Sequence, residues 1–97
     1  MDQRMVITEN IVAATAPALR QMAARALEAG VTRLQLDLER VQDLDSVGLS
    51  VLIGIAMSLQ RLGGRLEVLN VRDEVFEILH SMRLDRHFHV QRLGAEQ

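Results

Sequence analysis

The chain has 97 residues, of which 48% are hydrophobic and 25% charged, so its length and composition predict one small globular domain. The formal net charge of −2 and the aromatic content of 2% argue against a nucleic-acid-binding protein, which needs a broad positive surface or stacking platforms. The lack of cysteine excludes disulfides, thiol nucleophiles and Cys-ligated zinc, and no apolar run is long enough to span a bilayer.

The first part of the chain is predicted to form two short extended segments and a helix. A turn at Glu9 and Asn10 separates the extended segments. Thr15 is a suitable N-cap for the helix, and Gly30 is a suitable stop. The predicted ranges are 4–8 and 11–14 for the extended segments and 16–29 for the helix.

Strands and helices alternate along the rest of the chain. Leu34, Leu36 and Leu38 alternate with polar residues, which is the period of a strand with one buried face. The predicted ranges are strands at 33–38, 65–71 and 87–90 and helices at 47–62 and 72–82, with residues 92–97 frayed. This order predicts crossover connections, and hence an α/β fold: a mixed sheet of about four strands with helices packed on it.

The helix predicted at 47–62 is more apolar than one packing face requires. A helix that covers one side of a sheet needs a single apolar stripe. One stripe with the spacing to lie on the sheet is Leu49, Leu52, Ile53, Ala56 and Leu59. A second stripe is Val47, Val51, Ile55, Ser58 and Leu62. Either a neighbouring helix covers the second stripe, or part of it is exposed near the helix start and binds another protein.

The segment DLDSVGL places Ser46 where this helix begins. As an N-cap, its hydroxyl would accept from the N–H of Gly48 or Leu49. As a nucleophile it would need a nearby base, but the G-x-S-x-G elbow is absent and the three histidines lie in the last fifth of the chain. As a phosphorylation site it would gain a charge of about −1.5 to −2, beside Asp43 and Asp45. The free N–H groups and dipole of the helix would tolerate that charge, whereas an apolar or acidic partner surface would not.

Four pieces in order resemble the STAS domain family, specifically the bacterial anti-sigma-factor antagonists. They are ATAPALR (14–20), DLDSVGL (43–49), RLEVLNV (65–71) and VFEILHSMRLDRHFHV (75–90), within a similarity that covers roughly residues 11–90. The family often carries Gly-Glu-hydrophobic-Asp before the Thr-Ala-Pro segment. This chain has Glu9-Asn10-Ile11-Val12 there, which leaves open what its first loop contributes to partner recognition.

The resemblance implies a cytoplasmic regulatory protein without enzymatic activity or cofactor. In this family the unphosphorylated protein binds an anti-sigma factor that is also a serine kinase of the histidine-kinase-like ATPase type, and this frees the sigma factor. The kinase phosphorylates the serine that matches Ser46, and a PP2C-type phosphatase resets the switch. The resemblance and the apolar stripe together predict a partner-binding surface of Asp43, Asp45, Ser46, Val47, Gly48, Leu49, Val51 and Ile55. Gly48 and Leu49 match positions that let the partner approach closely.

Three alternatives accompany this prediction. STAS proteins also serve as subunits of membrane lipid-transport ATPases, in which case Ser46 would be only a helix cap. His87 and His89 share a face if they lie in a strand, but two histidines without a third ligand rarely hold a metal. The stretch LQLDL is similar to the acidic strand end of P-loop proteins, but the chain has no phosphate-binding loop, so Asp37 is expected on the solvent face of its strand.

Overall fold

The computed structural model describes residues 1–94, which form a four-stranded sheet with helices packed on it. The strands lie side by side in chain order and are β1 (Asp2–Val6), β2 (Arg33–Asp37), β3 (Arg65–Val71) and β4 (His89–Arg92). All three pairings between them are parallel. The predicted α/β class is confirmed, but the predicted mixed sheet is corrected to a parallel one, because a helical crossover joins each strand to the next.

Three α-helices form these crossovers. They are α1 (Ala16–Glu28), α2 (Ser46–Arg61) and α3 (Asp73–Ser81), and a 3₁₀ turn at Leu84–Arg86 follows α3. Because the strands are added in one direction and such crossovers are right-handed, all three helices lie on the same face of the sheet. The core between the two layers includes the fully buried side chains of Leu34, Leu36, Leu52, Leu59, Val68 and Leu79. The carboxyl ends of the strands and the N-termini of the helices share one edge, where α2 begins.

The connection between β1 and α1 differs from the predicted pair of extended segments. The second segment contributes only Ile11, which forms an isolated bridge with Leu44, and residues 12–15 form a bend and a turn. Thr15 directly precedes α1 as predicted, but its hydroxyl accepts from the N–H of Val12 instead of capping the helix. At the other end of the chain, Arg92 belongs to β4 and is not frayed, while residues 95–97 of the predicted frayed tail lie outside the described residues.

Strand β3 departs from strict alternation at Asn70. Alternation predicts Val71 on the polar face with Glu67. Asn70 instead has a φ of +55°, in the left-handed region that non-glycine residues rarely adopt. Val71 is consequently buried in the core, and the Asn70 side chain donates to Asp37 Oδ2 at 3.0 Å. The positive φ of Asn70 shifts the alternation, so that the residue after it faces the core instead of the polar face. A period-two pattern in the sequence does not reveal this shift.

The face of the sheet away from the helices carries paired charges. Arg33 Nε donates to Glu67 Oε2 at 2.9 Å, and Arg65 Nε lies 2.7 Å from the same oxygen. Asp37 is on this face, as predicted, but it is buried and accepts from Arg4 at 2.9 Å. The prediction that Asp37 faces solvent is therefore wrong, because neighbouring strands supply long side chains that cover it.

Glu67 is expected to make stability depend on pH in the acid range. Hydrogen bonds from Arg33, which outweigh the opposing effect of burial, hold the pKa of Glu67 at about 2, against an ordinary value of 4.5. Because the folded state has the lower pKa, this stabilisation is complete above the ordinary value and is lost as the pH falls towards 2. Allowing for solvent screening, we expect Glu67→Gln to lower the free energy of unfolding by about 1–2 kcal/mol at neutral pH.

Urea unfolding of the wild type and Glu67→Gln at about pH 7 and about pH 3 measures this effect. The difference between the two proteins should shrink at the lower pH. Glu77→Gln is the control, because Glu77 is exposed and forms no ion pair or side-chain hydrogen bond within residues 1–94. Equal pH dependence of the wild type and Glu67→Gln would contradict the prediction.

Candidate partner-binding site

The N-cap of α2 is Asp45, not Ser46. Asp45 has an extended backbone, and its Oδ1 accepts from the N–H of Gly48 at 2.8 Å. The N–H of Leu49 is bonded to the main-chain oxygen of Asp45 at 2.9 Å. The two N–H groups that were expected to bond the Ser46 hydroxyl are thus occupied by Asp45, because the helix begins one residue earlier than predicted. Ser46 is the first helical residue, and it is exposed.

Asp45 also connects α2 to the segment before α1. Its second oxygen, Oδ2, accepts from the N–H of Ala13 at 2.9 Å. The N–H groups of Gly48 and then of Ala13 hold the pKa of the Asp45 carboxyl below its ordinary value, so this residue carries a negative charge beside Ser46. One carboxylate therefore caps the helix and fixes the neighbouring loop.

Asn10 is a further residue of this site, and its role is not evident from the sequence. Its Oδ1 accepts from the N–H of Gln42 at 2.8 Å and from the N–H of Asp43 at 3.2 Å. Main-chain bonds continue the connection, since the N–H of Ile11 donates to the oxygen of Asp43 and the N–H of Asp45 donates to the oxygen of Ile11. The only signal in the sequence was a turn residue, which does not indicate the partner. The first loop is thus bound to the segment that carries Ser46.

Gly48 is required by the fold itself. A Cβ at this position would overlap the main-chain oxygen and carbonyl carbon of Ile11 and approach its side chain. The motif predicted a close approach by a partner here, but the chain's own first loop occupies the space. Gly48 is buried in this conformation, so a contact between it and a partner stays a prediction.

The eight predicted partner-binding residues divide into accessible and buried groups. Asp43, Ser46 and Val47 are exposed, and Asp45 is half-buried. The buried residues are Gly48, Leu49, Val51 and Ile55. They support α2 from inside and are not available to a partner in this conformation.

A neighbouring helix covers the middle of the second apolar stripe. Val51 and Ile55 are only 3% and 5% exposed, and they lie where α2 meets α1, beside Ala23. The ends of the stripe behave differently, since Val47 remains 44% exposed next to Ser46. The middle of the stripe is therefore covered by a helix and its start is exposed, while binding of a protein at that start stays a prediction.

The structure shows no candidate metal site among the described residues. Within residues 1–94, no three side chains of the His, Cys, Asp or Glu type come together as metal ligands. His87 and His89 are exposed, and His89 lies in β4. None of the helices in the same range is long and apolar enough to cross a bilayer.

The model of the STAS domain family matches residues 5–94, nearly the whole chain and the complete sheet-and-helix unit from the end of β1 onwards. The chain belongs to the STAS domain family. No curated protein sequence matched it.

Solved structures share this STAS fold at low sequence identity. A putative anti-sigma factor antagonist from Thermotoga maritima has a TM-score of 0.87 at 21% identity, over 93% of this chain and 78% of that chain. A sulfate transporter family protein from Wolinella succinogenes has a TM-score of 0.81 at 18% identity, over 93% and 75%. The anti-sigma factor antagonist SpoIIAA in its unphosphorylated form has a TM-score of 0.68 at 18% identity, over 88% and 87%. STAS domains of regulators and of transporter families thus both share this architecture.

Replacement of Asp45 should be more damaging to the fold than replacement of Ser46. Asp45→Ala removes the acceptor for two N–H groups, and we expect the Tm to fall by about 4–8 °C, the effect of losing a good N-cap in a domain of this size. Asp45→Asn should fall in between, because its single side-chain oxygen can still cap the helix. Ser46→Ala should leave the Tm nearly unchanged. Thermal unfolding followed by circular dichroism tests this order, and a larger loss for Ser46→Ala than for Asp45→Ala would contradict it.

Proposed function

We propose that this STAS domain is an anti-sigma-factor antagonist that is switched by phosphorylation of Ser46. The observation that carries the proposal is the position of Ser46, exposed at the first turn of α2 while Asp45 performs the capping. The serine hydroxyl forms no side-chain hydrogen bond within residues 1–94, so a kinase can modify it without breaking a contact of the fold.

The partner surface in this proposal combines the start of α2 with the first loop. Val47 supplies exposed apolar area, and Ala13 and Ala14 are small exposed residues on the loop that Asp45 holds against the helix. Small side chains next to the serine allow a partner to approach it closely. Asp43 adds an exposed carboxylate at the rim.

Phosphorylation would act on partner binding through charge. The N–H groups of Gly48 and Leu49 are already bonded to Asp45, so a phosphate on Ser46 would not be bound by them and would add its charge next to that of Asp45. A charge of about −1.5 to −2 at this place would repel an acidic partner surface and prevent burial of Val47 against an apolar one. The fold itself would lose little.

The partners in this proposal are an anti-sigma factor and a phosphatase. The anti-sigma factor would be a serine kinase of the histidine-kinase-like ATPase type that binds the unphosphorylated domain and releases its sigma factor. A PP2C-type phosphatase would restore the binding form in the cytoplasm. The STAS domain itself contributes no catalytic residue and no cofactor.

The test is phosphorylation by the candidate kinase from the same genome. The purified chain is incubated with ATP and this kinase, and intact and peptide mass spectra are recorded. A single phosphate on Ser46 that is absent from Ser46→Ala and still present in Ser50→Ala supports the proposal, since Ser50 is exposed one turn further along α2. A stable complex without phosphate would leave a constitutive antagonist. The absence of both a phosphate and a stable complex would overturn the proposal.

A second candidate is a STAS subunit or domain of a membrane transport complex. The similarity to the sulfate transporter family structure favours it, because that likeness is of the same order as the likeness to the antagonists. Ser46 would then be an unmodified surface residue of α2. Co-purification with membrane transport proteins that is unaffected by Ser46→Asp would support this candidate over the switch.

A further inference from the structure

A second surface lies at the edge of the sheet opposite Ser46. Helices α2 and α3 both end at this amino-terminal edge, and Gln60 Nε2 donates to the main-chain oxygen of His87 at 3.4 Å, which joins the end of α2 to the residue after the 3₁₀ turn. We call the exposed residues around this contact the basic corner. It consists of Arg61, Leu62, Met82, Arg83, Arg86 and His87, all of which are exposed.

The basic corner has a local positive charge in a chain of net negative charge. It contains three arginines, whereas the whole chain has a net charge of −2. The one acidic residue within its turn, Asp85, is paired with His80 at 3.0 Å. The nearest exposed acid on α3, Glu77, lies a full turn before the helix end, and Glu28 ends α1 on the far side of α2.

Two apolar side chains project among these arginines. Leu62 is 58% exposed and Met82 is 55% exposed, and each directly follows the last residue of its helix. Helix recognition uses an apolar groove and strand addition uses an exposed sheet edge, whereas the basic corner consists of helix ends and a turn. Apolar side chains among arginines at such a place suit a broad anionic surface.

Arg83 occupies a strained position at the tip. Its φ is +60°, in the left-handed region that costs a non-glycine residue free energy and that glycine adopts readily. The buried side chains of Leu84 and Phe88 fix the chain on its C-terminal side. The chain thus has a long cation where glycine would fit with less strain, and an outlier of this kind points to a role for the side chain.

We propose that the basic corner binds the anionic headgroups of a lipid bilayer surface, with Leu62 and Met82 entering the headgroup region. The contact is peripheral, uses side chains only and leaves the fold unchanged. It lies at the opposite end of the sheet from Ser46, so it does not depend on the phosphorylation switch. The arginines supply electrostatic attraction, and the two apolar side chains supply burial.

The test is sedimentation of the full chain with vesicles of phosphatidylcholine alone and with added phosphatidylglycerol, at low and high salt. We expect binding only to the anionic vesicles and only at low salt. Arg83→Gly should weaken this binding about fivefold, the effect of one surface cation near an anionic bilayer, while its Tm is equal to or higher than that of the wild type. A loss of binding without loss of stability separates a surface role from a structural one.

Two further variants complete the design. Arg20→Ala, which removes an exposed arginine from α1 away from the corner, should bind nearly as well as the wild type. Leu62→Ser combined with Met82→Ser should weaken binding to anionic vesicles at unchanged net charge. Absence of binding to anionic vesicles at low salt, or equal binding by the wild type and Arg83→Gly, would overturn the proposal. Binding to polyglutamate but not to vesicles would also overturn it and assign the corner to an acidic protein.

Discussion

Gly48→Ala is expected to destabilise the domain by about 3 kcal/mol or more, a large part of the stability of a small protein. The added methyl group would occupy the position of the Ile11 carbonyl, which is main chain and cannot rotate away. Relief requires separating the first loop from the start of α2, and that breaks the bond of Ala13 to Asp45 and the main-chain bonds of Ile11 to Asp43 and Asp45. The same substitution therefore also deforms the surface around Ser46.

Gly54→Ala is the matched control for this prediction. Gly54 lies in the same helix, is exposed, and a Cβ there would meet nothing within 4 Å. Alanine at an exposed helical site should raise stability by about 0.5–1 kcal/mol. Urea unfolding of both variants, followed by circular dichroism, gives the two differences. A Gly48→Ala protein as stable as Gly54→Ala would show that the first loop does not hold its place on α2.

Ser46→Asp is expected to weaken binding of the proposed anti-sigma factor by at least about 1–2 kcal/mol, or roughly five- to thirtyfold in Kd, because a charge placed in a desolvated interface is costly. Ser46→Ala should bind nearly as tightly as the wild type. The sequence suggested that Ser46→Ala would lose a helix cap, but Asp45 is the cap, so we expect a fold cost of no more than about 0.5 kcal/mol. Neither variant should unfold.

Calorimetric titration of the partner into each variant measures the switch. Ser50→Asp adds the same charge one helical turn away, at another exposed position of α2. If Ser46→Asp and Ser50→Asp weaken binding equally, the effect is general repulsion and not a site at Ser46. If Ser46→Asp and Ser46→Ala bind equally well, phosphorylation at this residue does not control the interaction.

The order and kind of the elements could be predicted from local patterns. Leucines at every second position identify β2, the glycines at 63 and 64 identify the end of α2, and the observed helices begin and end within about two residues of the predicted ranges. These signals are contained in a few consecutive residues. The family motif around Ser46 is equally local, which is why the candidate serine was found without the structure.

Positions that depend on distant residues were not predicted. Whether Ser46 or Asp45 caps α2 depends on the first loop, which offers the N–H of Ala13 to the second oxygen of Asp45. The role of Gly48 depends on Ile11, nearly forty residues earlier in the chain. The parallel direction of β1 was also undetermined, because periodicity identifies a strand but not its pairing.

Hydrophobic periodicity and turn residues act over short distances, and they are sufficient to identify a small α/β domain with a serine at the start of an unusually apolar helix. Which of those apolar residues are exposed depends on how α1 packs on that helix. Val51 and Ile55 are covered by α1, while Val47, on the same stripe, stays open beside Ser46. Burial depends on what packs on a residue, and α1 reaches the middle of α2 but does not cover Val47.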